Sequence, residues 1–213
     1  MGAWALRRAC TDAMSWPEEI SVSVNLSPLQ IDGCDLYAVV MEALDATDLS
    51  PQRLQLEITE TALMHDSERT QATLRKLVAR GVTISLDDFG TRFATFNHLR
   101  SFPFGKIKID RSFIHDVASQ HENLAIMRSM ADLAAELYIG SVAEGVETAA
   151  DLVAVRLAGY DEAQGFYFSL PVPARGVDRA IAQCVAKFAD VPGIMDKGAG
   201  PKLRLAKPRA TVA

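Results

Sequence analysis

Apolar residues fall into short runs separated by longer stretches of helical periodicity. The runs are ISVSVNL (20–26), RLQLEIT (53–59), VTISLDDF (82–89), GKIKID (105–110), IGSVAEGV (139–146) and YDEAQGF (160–166). Each has strand length, and most are rich in Val, Ile or Leu, which fit a buried pleated surface. Helices are predicted over 3–15, 35–47, 66–80, 121–138, 148–158 and 174–189. Gly81 and Gly159 stand where two of these helices must stop, because glycine takes the left-handed backbone of a C-terminal cap without steric cost. Thr148 opens T-A-A-D, with Asp151 at the spacing of a reciprocal capping box. Residues 191–213 mix Gly, Pro, Lys and Arg without periodicity and read as a flexible basic tail.

Strands alternating with helices predict a parallel α/β sheet or barrel. The chain has 213 residues, whereas a closed (β/α)₈ barrel takes about 250. The expected fold is therefore a partial TIM-type (β/α) barrel with about six of eight strands, in one domain over residues 1–190. The first helix has no strand ahead of it. An N-terminal truncation follows as an expectation, with Met1 an internal start or a boundary.

Composition narrows the function classes. The chain is 49% hydrophobic and 23% charged, which suits one globular domain with a sizeable core. Its net charge of −5 argues against duplex nucleic acid as a partner, since such binding needs Lys and Arg to neutralise phosphates. Lys197, Lys202, Arg204, Lys207 and Arg209 stand against Asp196 alone in the tail, so the negative surplus sits in the body. Cys10, Cys34 and Cys184 are widely spaced without a C-x-x-C, the usage of a reducing compartment. With no apolar run of spanning length and no signal-peptide pattern, the expected location is the cytoplasm, or the cytoplasmic part of a membrane-bound parent. His65, His98, His115 and His121 show no metal-binding spacing, and glycine-rich phosphate loops are absent. Met127 and Met130 read as core packing, as do Phe102, Phe104 and Phe113.

Chemistry gathers at the ends of the apolar runs. SVSVN ends in Asn25, LQLE in Glu57, ISLDD in Asp87 and Asp88, and SVAE in Glu144. The fourth run offers Lys106 and Lys108, on one side of a strand by its period of two. In a parallel barrel the C-terminal strand ends form the active-site face. Oxygen donors without His or Cys suit Mg²⁺ or Mn²⁺ rather than Zn²⁺. Adjacent Asp87 and Asp88 suit paired ions, which sit about 3.5–4 Å apart in phosphodiester-cleaving sites. Each residue also has an ordinary structural role open to it. Asn25 can be a turn residue, Asp88 a cap through Gly90, Glu57 and Glu60 surface charges, and Lys108 the partner of a nearby acid. Acids at successive strand ends would nevertheless repel one another unless cations or protons relieved them.

Six stretches carry a resemblance: SVNLSPLQ (23–30), LQLEITETALM (54–64), GVTISLDDFGT (81–91), FPFGKIKIDRSFI (102–114), AEGVET (143–148) and QGFYFSLPVP (164–173). Together, in this order, they resemble the EAL domain, the bacterial cyclic-di-GMP phosphodiesterase family. The resemblance implies metal-dependent hydrolysis of cyclic-di-GMP to linear pGpG, with two Mg²⁺ or Mn²⁺ ions. It implies metal ligands at Asn25, Glu57, Asp87 and Asp88, and Lys108 beside the attacking water and phosphate. Glu144 would line the metal and water site, Glu147 and Gln164 would lie near metal and dinucleotide, and Glu60 would hold the loop after Asp88. A homodimer, and sensory or diguanylate-cyclase-like domains in a longer parent, are implied as partners.

Two departures stand out. Neither an E-x-L tripeptide nor a YQP-like strand precedes Asn25, so by the resemblance two family barrel strands are missing, one of which bears a metal ligand; MGAWALRRAC matches the helix that follows them. The family loop DDFGTGYSSL reads DDFGTRFATF here, with Arg92, Ala94, Thr95 and Phe96 as replacements. Impaired turnover is the expectation. A catalytically inactive cyclic-di-GMP-binding or protein-interaction domain is the alternative.

Overall fold

The computed structural model describes residues 2–33, 35–60, 62, 68–91, 99, 102–114, 121–189 and 204–205. The chain divides into two compact units, Met1–Gly105 and Lys106–Ala206. The expectations for Cys34, His65, His98, His115 and the loop replacements at Arg92, Ala94, Thr95 and Phe96 lie outside the described residues. So does the tail, apart from Arg204 and Leu205.

The first unit holds helices α1 (Gly2–Ala13), α2 (Pro28–Gly33), α3 (Leu36–Asp45) and α4 (Glu68–Ala79), and strands β1 (Val22–Leu26), β2 (Leu54–Thr59) and β3 (Thr83–Phe89). All three strands are parallel. Val22 pairs with Leu54 at one end of the β1–β2 ladder, and Thr59 with Asp87 at one end of β2–β3. Leu54, Leu56, Ile58, Ile84 and Leu86 are fully buried, and each contributes about 1.5–3 kcal/mol by leaving water. Helices α1 and α4 pack on β1 and β3, and α3 packs on both helices. Arg53 ties the entry of β2 to the α1–β1 connection: its guanidinium donates to the carbonyls of Ile20 at 2.9 Å, Ala13 at 2.7 Å and Pro17 at 3.1 Å.

The second unit holds β4 (Lys106–Ile109), β5 (Gly140–Ala143), β6 (Glu162–Ala163) and β7 (Arg204–Leu205), again in parallel register. Its helices are α5 (Arg111–Ile114), α6 (His121–Glu136), α7 (Ala149–Leu157) and α8 (Val177–Ala189). Met127 is fully buried on α6. Arg204 and Leu205 lie within the stretch read from sequence as a flexible tail, yet they form a strand beside β6.

Helix ends follow their local chemistry. After α4, the Gly81 N–H donates to Val78 O and the Val82 N–H to Leu77 O, with Gly81 at φ +97°. This is a Schellman closure, which returns two terminal carbonyls to hydrogen bonding. Gly159, at φ +93°, closes α7 in the same way. At the end of α6 the left-handed position is held by Tyr138, at φ +57° and 97% exposed. No glycine marks that stop in the sequence.

The capping box at Thr148 is formed. Its hydroxyl accepts from the Asp151 N–H at 3.1 Å, and the Asp151 carboxylate accepts from the Thr148 N–H at 3.0 Å. Thr148→Ala is expected to cost about 1 kcal/mol, and Thr148→Ser to retain most of the stability. Comparison of urea midpoints checks both.

Candidate active site

In the first unit, Asn25, Glu57 and Asp87 occupy the C-terminal halves of β1, β2 and β3. Asn25 is the direct register partner of Glu57, and Glu57 of Ser85. Asp87 lies two residues beyond Ser85, so all three share one face by the period of the strand. Asn25 is exposed, while Glu57 and Asp87 are buried at 2% and 7% exposure. Gln55, one step back on β2, donates its amide to Glu57 Oε1 at 3.5 Å.

Asp88 follows Asp87, and in a regular strand its side chain would point to the opposite face. It adopts φ +56° instead, a left-handed conformation that asparagine and aspartate tolerate better than most residues. Asp87 and Asp88 each offer a carboxylate oxygen, and the two lie within 4.8 Å of one another. Gly90, at φ +95°, completes the turn. Its N–H donates to Glu60 Oε1 at 2.8 Å, and Glu60 is 3% exposed. Thus a carboxylate at the end of β2 holds the backbone just after β3.

In the second unit the chemistry centres on Lys108. Its side chain is 1% exposed, and its ammonium lies 2.5 Å from Glu144 Oε1. Glu144 follows β5 directly, with its N–H bonded to Ile109 O at 3.1 Å. Gln164 follows β6 and donates its amide to the same Glu144 oxygen at 2.6 Å. Three consecutive parallel strands therefore each deliver one polar group to a single carboxylate-centred network. The backbone that presents Gln164 is fixed on both sides: Gln164 N–H donates to Ala143 O at 2.9 Å, and Val146 N–H to Gln164 O at 3.0 Å. Glu147 is exposed, and its N–H donates to the Asp151 carboxylate at 3.4 Å.

Sequence reasoning placed Lys106 beside Lys108 but missed its partner. Lys106 Nζ lies 2.6 Å from Glu162 Oε2. The signal was available in the sequence, since Glu162 precedes Gln164 by two and shares its face of the strand. The literal tripeptide Glu42-Ala43-Leu44 is not a strand-end carboxylate motif. It lies within α3, with Glu42 exposed and Ala43 and Leu44 buried.

Among the described residues, Cys10 and Cys184 offer no competing nucleophile. Burial pushes the Cys10 thiol up to about 11, and it raises Cys184 as well. A neutral buried thiol is a poor nucleophile.

The EAL domain model matches residues 1–171. The chain belongs to the EAL domain family. Among relatives, it is 36% identical over 179 residues to the cyclic di-GMP phosphodiesterase NbdA of Pseudomonas aeruginosa, covering 82% of this chain and 23% of that protein. It is also 36% identical over 186 residues to the bifunctional diguanylate cyclase/cyclic di-GMP phosphodiesterase MucR of the same organism, covering 85% and 27%. The chain thus spans about a quarter of the length of these curated relatives. Among solved structures, the MucR phosphodiesterase in complex with c-di-GMP superposes with a TM-score of 0.77 at 36% identity, over 82% of this chain and 72% of that one. A manganese/cy-diGMP complex of Klebsiella pneumoniae BlrP1 matches with a TM-score of 0.74 at 28% identity, over 79% and 44%. The fold is therefore the TIM-barrel-type α/β architecture of EAL domains.

Proposed function

We propose that this EAL chain hydrolyses one phosphodiester bond of cyclic-di-GMP to give linear pGpG, using Mg²⁺ or Mn²⁺. The observation that carries the reading is the buried Lys108 ammonium bonded to Glu144, which in turn accepts from Gln164. A lysine withdrawn from water in an acidic chain of this family is suited to an anionic substrate.

The donor set fits hard divalent cations. Asn25, Glu57, Asp87 and Asp88 present oxygen alone, and the oxygens of Asp87 and Asp88 stand close enough to serve one ion or neighbouring ions. These four residues are the proposed ligands. When bound, the ions supply positive charge that neutralises phosphate and makes water more acidic.

The remaining roles belong to the chain. Lys108 donates hydrogen bonds to a phosphate oxygen or to the attacking water. Glu144 accepts a hydrogen bond from that water, and Gln164 holds the carboxylate in orientation through its Oε1. Water attacks phosphorus, the bond from phosphorus to a ribose oxygen breaks, and that oxygen takes up a proton. Glu60 holds the Gly90 turn, and so the direction of Asp88. Glu147 lies near the dinucleotide, together with Gln164.

Among the described residues, no helix is long and apolar enough to cross a membrane. A cytoplasmic location is proposed on the free buried thiols of Cys10 and Cys184. A homodimer and a longer parent bearing cyclase-like or sensory domains are proposed partners, the latter on the likeness to bifunctional MucR.

The test incubates the 213-residue chain with cyclic-di-GMP and Mn²⁺ or Mg²⁺, then resolves products by chromatography. Release of pGpG that stops on adding EDTA is expected, and its rate decides how far turnover is impaired. Tight binding measured by calorimetry with no pGpG would instead establish the inactive binding domain.

A further inference from the structure

A second ion pair lies behind the Lys108 network on the same sheet face. Lys106 Nζ and Glu162 Oε2 are 2.6 Å apart, with side chains 19% and 15% exposed. In register, Lys106 stands opposite Gly140, Lys108 opposite Val142, and Val142 opposite Glu162. Lys108 therefore shares a row of the sheet with Glu162, yet its ammonium is bonded to Glu144, one row nearer the strand ends. Lys106, one row further back, reaches forward over β5 to Glu162. Gly140, its neighbour in the row, carries no side chain to obstruct that reach.

Residues two apart on one strand lie about 6.6 Å apart, well within the sweep of a lysine stem. A largely buried carboxylate without a cation attracts the nearest one strongly, because its lost hydration is not replaced. Without Lys106, the cation that β4 offers in the same row as Glu162 is Lys108. We propose that Lys106 is a positioning residue: by engaging Glu162, it keeps that carboxylate from drawing Lys108 away from Glu144. Lys106 thus holds Glu162 and leaves Lys108 on Glu144, aimed at the strand ends. This inference rests on the hydrolytic reading above for its kinetic consequence, but not for its structural one.

The test uses the full chain with Lys106→Met, Lys106→Gln and the double variant Lys106→Met/Glu162→Gln. Lys106→Met is expected to lower kcat for cyclic-di-GMP about tenfold, with KM within about twofold. Lys106→Gln, whose amide still donates to Glu162, follows in the same direction to a smaller extent and serves if the methionine variant fails to fold. The double variant, with no competing carboxylate, is expected to recover to within about threefold of the parent. A merely structural pair would give no such recovery. In parallel, chains labelled with ¹⁵N-lysine report the Lys108 ammonium by NMR, identified by its loss in Lys108→Met. That signal is expected to shift in Lys106→Met and to return in the double variant. A double variant as slow as Lys106→Met, or a Lys108 signal unmoved in the single variant, overturns the proposal. If the parent chain releases no pGpG, the hydrolytic reading fails and the NMR arm alone decides this one.

Discussion

Lys108→Met is expected to lower cyclic-di-GMP hydrolysis by about 10²–10⁴-fold, the range lost when a positioned proton-handling or charge-stabilising group is removed. The side chain is 1% exposed and its ammonium lies 2.5 Å from Glu144, so its charge acts where water screens it little. Methionine keeps the length of the stem and removes only the charge and its donors. The loss should fall on kcat more than on binding, because the proposed role concerns the reacting phosphate rather than the guanine rings. Breaking a buried pair by deleting one partner costs about 3–5 kcal/mol in folding. Circular dichroism and a urea midpoint must therefore accompany the rates. A folded Lys108→Met chain that turns over at the parent rate would falsify the assignment of Lys108 to the chemistry.

The second large effect is expected at Gly165. A Cβ built there would lie 2.1 Å from Val146 O, 2.4 Å from Val146 N and 2.7 Å from Val146 C. All three are backbone atoms, so no rotamer change relieves the overlap. Those atoms are also committed: Val146 N–H donates to Gln164 O at 3.0 Å, and Tyr167 N–H donates to Val146 O at 2.9 Å. Gly165→Ala must break one or both bonds to admit a methyl group. Overpacking and the lost hydrogen bonds together predict destabilisation of about 3 kcal/mol or more. Gln164 is the neighbouring residue, so the same change should loosen its 2.6 Å bond to Glu144 and slow turnover in whatever fraction remains folded. Urea titration of Gly165→Ala checks the first part. A loss below about 0.5 kcal/mol, within the range of ordinary surface substitutions, would refute the packing argument.

Much of the fold was legible because its determinants are local. The runs at 53–59 and 82–89 read as strands because their apolar side chains fill a two-sided interior, and β2 and β3 fall within them. Gly81 and Gly159 marked helix ends because their conformation is one glycine adopts freely. The helix read over 121–138 does close at Tyr138, but the left-handed backbone there was not legible, since an exposed aromatic residue carries no compositional mark of it. Nor was the brevity of β6, where only Glu162 and Ala163 form the ladder within a seven-residue run. Arg204 and Leu205 read as tail because a two-residue strand next to glycine and proline has no period to detect. At the site, strand-end placement of Asn25, Glu57, Asp87 and Lys108 followed from periodicity. The convergence of Lys108 and Gln164 on Glu144 did not, because it depends on the stagger between three strands distant in sequence. The backbone reversal at Asp88 was likewise invisible, since aspartate there suggests a cap as readily as a left-handed turn.

That reversal has a cost for anyone improving the protein. Left-handed backbone costs about 1–2 kcal/mol at most residues with a Cβ and less at aspartate, and glycine at position 88 would remove that cost. Glycine there would also delete a proposed ligand oxygen. A screen that rewards only resistance to heat would accept Asp88→Gly and discard the chemistry with it. At this one residue, durability and reactivity are selected in opposite directions.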